Sequence, residues 1–404
     1  MKYIVIIGDG MADWPIDEID GLTVLQKASI PNMDRLAVKG VLGTVRTIPI
    51  GMPPGSDVAN LSIMGYDPAK YYTGRAPLEA ASMGIPLGEN DVAYRCNLVT
   101  IEGDESSAVM KDHSSGHITT EEGRELISAV SAELKGEGID FYPGVSYRHL
   151  MVWKDGNEKV ECTPPHDILE RRIADYLPRG DGSGLLKELM TRSAKILAGH
   201  AVNAKRSAAG KRTATSIWLW GQGRRPAIPT FREKYELAGA LISAVDLTKG
   251  LGVCAGLKII DVPGATGWID TNYAGKAEYA VKALQESDFV YIHLEAPDEA
   301  GHAGSLEHKI RAVEDLDALI IGPVFEKAKS RYGDVRLLIM PDHATPIKER
   351  THTDEPVPFI IYDSRAEKAN HGATYDESIA TREGIMVVDK GYSLMDYFIK
   401  EARV

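Results

Sequence analysis

The sequence predicts an α/β protein with a doubly wound, mostly parallel sheet and a smaller inserted α/β domain. Short apolar runs at residues 3–7, 289–294, 335–340 and 357–362 alternate with amphipathic stretches of helical length. This alternation is typical of parallel strands covered by helices. Polar residues follow most of these runs, and open parallel sheets bind ligands at the carboxyl ends of their strands. We therefore expect a polar site along that edge.

Two early helices follow from spacing and capping signals. Residues 23–39 carry apolar side chains at near-helical spacing, which predicts one amphipathic helix. Ser56 can cap a short helix that runs to Met64. Its hydroxyl would then lie where helix amides point and where anions are favoured.

The middle of the chain has a different composition and predicts a second domain. It contains an acidic helix at residues 119–135 and a Gly-rich loop at residues 179–184. We predict a metal-binding domain formed by residues 1–90 and 256–404, and an inserted substrate-binding domain formed by residues 91–255.

The bulk properties limit the class of protein. The net charge of −12 argues against nucleic acid as a partner, because a phosphate backbone needs a cationic surface. The apolar runs are of strand length, so no membrane span or signal peptide is expected. Cys96, Cys162 and Cys254 are widely scattered and odd in number, which favours a reducing cytoplasm over a disulfide framework. The oligomeric state stays open.

One stretch departs from the acidic average. Residues 189–232 contain no Asp or Glu but nine cations, which are Arg192, Lys195, Lys205, Arg206, Lys211, Arg212, Arg224, Arg225 and Arg232. They form either a solvated basic face or a wall that attracts an anionic substrate.

Six residues that can bind divalent cations follow or flank the predicted strands. They are Asp9, Asp298, His302, Asp342, His343 and His352. Asp298 and His302 are four residues apart after Pro297, so both can lie on one helix face. Each histidine taken alone is better explained by a structural role. With the Ser56 hydroxyl, the six form a ligand set for two cations beside a nucleophile, an arrangement that moves phosphoryl groups.

The ligand types indicate which ions to expect. Carboxylate and imidazole ligands suit manganese, zinc or cobalt better than an all-oxygen magnesium site. We predict two divalent metal ions from the group Mn, Zn, Co or Mg as cofactors. Three carboxylates against two such ions leave a positive surplus, which favours an ionised Ser56 and a bound phosphate.

Two glycine motifs do not support nucleotide binding. Gly8-Asp9-Gly10 lacks the third glycine of a dinucleotide fingerprint, because Asp13 stands at that position. The glycines at residues 179–184 are not followed by the Gly-Lys-Ser/Thr of a phosphate-binding loop.

The motifs together resemble the alkaline phosphatase superfamily. Within it, the chain is similar over nearly its whole length to archaeal-type 2,3-bisphosphoglycerate-independent phosphoglycerate mutases. The motifs that carry this resemblance are Gly8-Asp9-Gly10, Gly55-Ser56-Asp57, Asp298-x-x-x-His302, Pro341-Asp342-His343 and His352-Thr353.

The resemblance implies roles for individual residues. One metal ion would bind the set Asp9, Ser56, Asp342 and His343, and the other the set Asp298, His302 and His352. Lys276 would stabilise the charge of the catalytic serine, and Arg75 would contact the phosphate. The implied activity is interconversion of 3-phosphoglycerate and 2-phosphoglycerate through a phosphoserine, with a small anionic phosphorylated substrate.

Some residues depart from the mutase pattern and keep a second function open. Histidines occur at residues 112–117, where the archaeal enzymes tend to have arginines, and Glu295 stands where a lysine is common. These departures resemble a bacterial branch proposed as an alternative homoserine kinase, which uses ATP. We expect His113, His117 and Arg206 to bind substrate. A metal-bound scaffold without turnover is a third alternative, which the intact Ser56 disfavours.

Overall fold

The computed structural model describes residues 1–104, 107–136 and 138–400. Within these residues the β-strands form two separate sheets. In chain order the strands are β1 (Lys2–Gly8), β2 (Val41–Val45), β3 (Val92–Glu102), β4 (Val109–Asp112), β5 (Ile139–Tyr142), β6 (Arg148–Trp153), β7 (Ser216–Gly223), β8 (Gly239–Ile242), β9 (Lys258–Ile259), β10 (Phe289–Leu294), β11 (Val335–Met340), β12 (Val357–Asp363) and β13 (Met386–Val388).

The first sheet has eight strands in the order β13-β2-β12-β11-β1-β10-β8-β9. Five of its neighbouring pairs are parallel, and β12 runs antiparallel to both β11 and β2. Strand β1 lies between β10 and β11, with Ile6 beside Ile292 and Ile339. The predicted mostly parallel α/β sheet is confirmed, and all four predicted strands are present.

Helices cover the sheets. In chain order they are α1 (Val24–Lys27), α2 (Pro31–Lys39), α3 (Ser56–Ile63), α4 (Pro68–Tyr71), α5 (Arg75–Ser82), α6 (Thr120–Leu134), α7 (Ser183–Ala198), α8 (Ala201–Ala208), α9 (Phe231–Tyr235), α10 (Asp246–Cys254), α11 (Tyr273–Ala283), α12 (Ala296–His302), α13 (Leu306–Asp315), α14 (Gly322–Tyr332) and α15 (Leu394–Lys400). Short 3₁₀ turns occupy Asp17–Ile19, Pro165–Ile168, Ile173–Tyr176, Glu377–Thr381 and Gly391–Ser393, and a π-helical segment, Leu316–Ile321, joins α13 to α14. No helix in the described ranges has both the length and the apolar character needed to cross a bilayer.

The single helix predicted over residues 23–39 is wrong, because the chain forms two helices there. Pro31 opens α2, and a proline disfavours helical geometry in the residue before it. Ile30 accordingly has φ −125° and ψ 54°, outside the helical region. Thr23 caps α1 by a reciprocal capping box with Gln26, which is why α1 starts where the pattern predicts.

The second sheet is antiparallel throughout. Strand β3 pairs with β4, β6 and β7, and β5 pairs with β6. Helices α6 and α7 contribute Leu126, Val130, Leu186 and Leu189 to the apolar cluster that covers this sheet. The predicted acidic helix over residues 119–135 corresponds to α6, which Thr119 caps through Glu122.

The chain divides into two compact units, Met1–Tyr72 with Ala227–Val404 and Thr73–Pro226. These boundaries differ from the predicted ones, which lay at residues 90/91 and 255/256. Strand β8 accounts for the second difference, because it pairs in parallel with β10 and so belongs to the first sheet. Helix α5 falls within the range predicted for the first unit, but it packs on β3 and β7 of the second.

The central strands of the first sheet are buried on both faces. Every residue of β10 and β11 is buried, as are the last six residues of β1. Strands covered on both sides read as continuous apolar runs, which explains why the sequence pattern located them well.

A buried hydrogen-bond network links the loops that follow the strands. Lys309, which is fully buried, donates to the carbonyls of Ala12 and Thr345 and to Oδ2 of Asp13. Glu377 accepts from the Asp13 amide at 3.0 Å and from the Thr23 hydroxyl at 2.5 Å. Burial raises the pKa of Glu377 to about 7.

We expect Leu337→Ala in β11 to lower the free energy of unfolding by about 2–5 kcal/mol, because it opens a cavity in a closely packed sheet. Leu319→Ala is the matched control, since that leucine is 41% exposed and should cost less than about 0.5 kcal/mol. Urea unfolding followed by circular dichroism measures both variants. Equal midpoints for the two would contradict the assigned core.

Glu377 should make stability depend on pH. Its folded pKa of about 7 exceeds the ordinary value of 4.5, so the folded state holds the proton more tightly. The protonated carboxyl therefore contributes to the free energy of unfolding below pH 4.5, and this contribution is lost as the pH rises to 7. Glu377→Gln should therefore gain stability relative to wild type across that window, by on the order of 2 kcal/mol. Paired urea titrations at pH 4.5 and 7 test this, and a constant difference would refute it.

Candidate metal centre and catalytic serine

Strand order brings the predicted metal ligands to one edge of the first sheet. Asp9 follows β1, Asp342 lies two residues beyond β11, and Asp298 lies in α12 just after β10. These three strands are parallel neighbours, so their carboxyl ends share an edge. His352 precedes β12, and because β12 is antiparallel to β11 its beginning lies at that same edge.

The first group of ligands surrounds His343. Its Nε2 atom lies 3.4 Å from Oδ1 of Asp9 and 3.6 Å from Oδ2 of Asp342. Asp9, Asp342 and His343 are buried, and each offers one ligand atom within 4.8 Å of the other two. The hydroxyl Oγ of Ser56 lies 3.0 Å from the same Nε2 atom. The structure thus brings together the four residues predicted for the first metal.

The second group surrounds Asp298. Its Oδ2 lies 3.2 Å from Nε2 of His302, and its Oδ1 lies 3.5 Å from Nε2 of His352. The two Nε2 atoms are 3.0 Å apart. Nδ1 of His302 lies 2.9 Å from the carbonyl of Arg350, which suits donation from Nδ1 and leaves the Nε2 lone pair for a metal ion.

The donor set fits two divalent cations. Oδ1 of Asp9 is buried and has no hydrogen-bond partner in the described part of the chain. Burial, followed by repulsion from Asp342, Asp298 and Glu295, raises the pKa of Asp9 well above its ordinary value. A cation between these carboxylates would relieve both effects. The unpartnered Asp9 oxygen and the converging imidazole nitrogens match the ligands of borderline transition ions.

Helix α3 holds Ser56 in place. The predicted capping role is wrong by one residue, because Gly55 is the N-cap and Ser56 is the first residue of the helix. Asn60, one turn later, donates through Nδ2 to the Ser56 carbonyl and to Oδ2 of Asp342, both at 2.8 Å. The hydroxyl of Tyr291 donates to Oδ1 of Asn60 at 2.5 Å. Asn60 therefore fixes the serine relative to a metal ligand.

Sequence reasoning missed Asn60, Tyr291 and His293. Tyr291 and His293 belong to β10, whose apolar character concealed them. A histidine inside a fully buried strand was the available signal, because such a group needs a polar partner. Nε2 of His293 lies 3.2 Å from Oδ2 of Asp9.

Lys276 is fully buried in α11 and donates to the carbonyl of His293 at 2.9 Å. Burial lowers the pKa of its ammonium to about 8. This contact places Lys276 beside His293, whose ring lies next to Asp9. Its role in stabilising a charge on Ser56 stays a prediction.

Arg206 belongs to the framework of the second unit. It is 3% exposed, and its guanidinium donates to the carbonyls of Arg212 and Ser115 and to the carboxylate of Glu122. These bonds engage its nitrogens within the fold, and the role of Arg206 toward substrate stays a prediction.

Other cations of the basic stretch are also paired. Arg192, Arg212 and Arg224 form ion pairs with acids that lie outside residues 189–232. These pairs favour the interpretation of the stretch as an ordinary charged face.

The other predicted substrate residues also lie in the second unit. The half-buried ring of His113 packs edge-on against Tyr147 and His166, and burial lowers its pKa. His117 is exposed and has a positive φ of 47°. Arg75 is the first residue of α5. The roles of His113, His117 and Arg75 toward substrate stay predictions.

A serine hydroxyl beside two groups of candidate metal ligands, on a doubly wound sheet, is the arrangement expected of a metal-dependent phosphotransferase. The family model described as 2,3-bisphosphoglycerate-independent phosphoglycerate mutase matches residues 37–203. A probable enzyme of that name from Geobacter sulfurreducens is 51% identical over 99% of this chain and 100% of its own. The enzyme of that name from Methanosarcina barkeri is also 51% identical, with the same coverage.

A solved structure agrees with these sequence comparisons. The cofactor-independent phosphoglycerate mutase from Thermoplasma acidophilum superposes with a TM-score of 0.67 at 27% identity, over the full length of both chains. The chain belongs to the 2,3-bisphosphoglycerate-independent phosphoglycerate mutase family.

Removing one ligand charge should weaken metal binding. We expect Asp342→Asn to reduce the occupancy of the ion nearest Ser56 at least tenfold at limiting manganese, since an amide is a poorer ligand than a carboxylate. Asp17→Asn, at an exposed position, is the control and should bind as wild type does. Equilibrium dialysis with elemental analysis gives the occupancies. Unchanged binding by Asp342→Asn would remove this residue from the ligand set.

Proposed function

We propose that this enzyme interconverts 3-phosphoglycerate and 2-phosphoglycerate through a phosphoserine formed on Ser56. The observation that carries the proposal is the 3.0 Å separation between the Ser56 hydroxyl and Nε2 of His343, within a buried group of metal ligands. The names of the relatives that are 51% identical over nearly the whole chain support the same substrates.

The ligand groups suit phosphoryl transfer. Asp9, Ser56, Asp342 and His343 would hold one divalent ion, and the second would be held by Asp298, His302 and His352. Such ions lower the pKa of a bound hydroxyl and offset charge on phosphoryl oxygens. These residues therefore supply both the nucleophile and the electrostatic environment that it needs.

The chain's own residues account for the transfer. Oγ of Ser56 loses its proton and bonds to the phosphorus of the substrate, while the bond from phosphorus to the glycerate oxygen breaks and that oxygen takes up a proton. The other hydroxyl of the same glycerate then loses its proton and bonds to the phosphorus, while the bond from phosphorus to Oγ of Ser56 breaks and Oγ takes up a proton. Asn60 keeps Ser56 fixed against Asp342 through both steps.

The start of α3 assists binding of the phosphoryl group. The first amides of a helix have no partner within the helix and favour an anion. Ser56 is the first residue of α3, so a phosphoryl group on its Oγ lies near those amides.

The alternative function, ATP-dependent phosphorylation of homoserine, is not supported by the comparisons. The relatives that match the whole chain are named as mutases. His113, His117 and Glu295, which suggested the alternative, are compatible with either substrate on their chemistry alone.

One assay separates the two functions. Purified enzyme with manganese is given 3-phosphoglycerate without bisphosphoglycerate, and formation of 2-phosphoglycerate is followed through enolase. A parallel reaction contains homoserine and ATP. We expect turnover in the first reaction and none in the second. Turnover with homoserine alone would overturn the proposal.

Ser56→Ala should abolish mutase activity, with a loss of at least about 10⁴-fold in kcat, because the nucleophile is gone. Ser62→Ala removes a buried hydroxyl from the same helix and should keep activity within about threefold. Denatured wild-type enzyme quenched during turnover should carry phosphate on Ser56 by mass spectrometry. Near-normal turnover by Ser56→Ala would mean that the phosphoryl group does not pass through this serine.

A further inference from the structure

We propose that Asp9, His293 and Glu295 form a third divalent-cation site beside the two already described. Asp9 directly follows β1, His293 belongs to the neighbouring strand β10, and Glu295 directly follows β10. Ile7 of β1 pairs with His293 of β10, and the Asp9 amide donates to the Leu294 carbonyl at 2.9 Å. The continued pairing holds Asp9 beside the end of β10, so the site is part of the sheet framework.

The three side chains converge. Nε2 of His293 lies 3.2 Å from Oδ2 of Asp9, while Oε2 of Glu295 lies 3.9 Å from the other ring nitrogen, Nδ1, and has to turn toward Nε2 to share one ion. One ligand atom from each residue lies within 4.8 Å of the other two. Ligands bound at about 2.0–2.2 Å to one tetrahedral ion are roughly 3.3–3.6 Å apart, so a small movement of Glu295 completes the set.

Two of the ligand atoms lack hydrogen-bond partners. Nε2 of His293 and Oε2 of Glu295 are buried and unpaired within the described ranges. His293 is fully buried, and the 3.2 Å separation between its Nε2 and Asp9 lacks the alignment of a hydrogen bond. With the ring proton on Nδ1, the lone pair of Nε2 is available to bind an ion.

Asp9 presents a different oxygen to each side. Its Oδ1 faces His343 of the first ligand group at 3.4 Å, and its Oδ2 faces His293 at 3.2 Å. A carboxylate in this position can bridge two cations, and bridged cations in two-metal sites lie about 3.5–4 Å apart. The proposed ion is therefore the neighbour of the one that binds Ser56.

The local charge also favours a cation. Glu295 lies among Asp298, Glu299 and Asp342, and burial followed by these charges raises its pKa well above the ordinary value. Lys276 is the nearby cation, but its ammonium donates to the His293 carbonyl. One lysine charge does not balance this group of carboxylates. A divalent ion with mixed oxygen and nitrogen preference, such as manganese or zinc, fits the donors.

Counting bound ions tests the site directly. Full-length enzyme is stripped with a chelator and dialysed against saturating manganese, and the bound metal is measured by elemental analysis. We expect three ions per chain in wild type and two in Glu295→Gln. Glu18→Gln, at an exposed position, should keep three. Circular dichroism checks that the variants are folded.

The wild-type count keeps the proposal falsifiable even if a variant does not fold. Two ions per wild-type chain would overturn it, as would three ions in Glu295→Gln. His293→Gln provides an independent variant and should also bind two. The counts do not depend on turnover, so failure of the mutase assay with three bound ions would refute the proposed function alone.

Discussion

Four carboxylates lie at one edge of the first sheet, and the sheet holds them together against their mutual repulsion. Asp9, Asp298 and Asp342 are almost completely buried, and Glu295 is mostly so. Burial, followed by repulsion from neighbouring carboxylates, raises the pKa of Asp9 and of Glu295 well above their ordinary values. Carboxylates on mobile segments would move apart and reduce this repulsion. Strands buried on both faces cannot, so the carboxylates remain together and a cation becomes the favourable occupant.

The surrounding polar groups also hold the carboxylates and their loops in place. Amides of Gly10 and His343 donate to Oδ1 of Asp342 at 3.1 and 2.9 Å, and Asn60 donates to its Oδ2. Lys309 ties the loop after β1 to the loop after β11 through the carbonyls of Ala12 and Thr345. Both loops carry predicted metal ligands, and one buried ammonium therefore holds these residues in their relative position. Rigid placement of this kind is what electrostatic catalysis requires.

The sequence predicted the elements whose physical signal is local. Apolar runs marked the strands, and polar residues beyond them marked the site, because parallel strands share a carboxyl edge. Long-range pairing left no such signal. Strand β8 was assigned to the wrong unit because only its pairing with β10 reveals its sheet, and His293 was hidden in an apolar run. The sequence likewise does not indicate that Glu122 and two backbone carbonyls engage Arg206.

The central position of β1 sets an order of events during synthesis. Lys2, at the start of β1, bonds to Asp288, which emerges 286 residues later. Translation proceeds at about 5–20 residues per second, so β1 remains without either neighbouring strand, β10 or β11, for at least roughly 15–60 s. The strands of the second sheet all lie between residues 92 and 223, so they can pair during that delay. A nascent or truncated chain that lacks β10 and β11 therefore exposes an unpaired apolar strand, which makes it a natural substrate for chaperones and proteases.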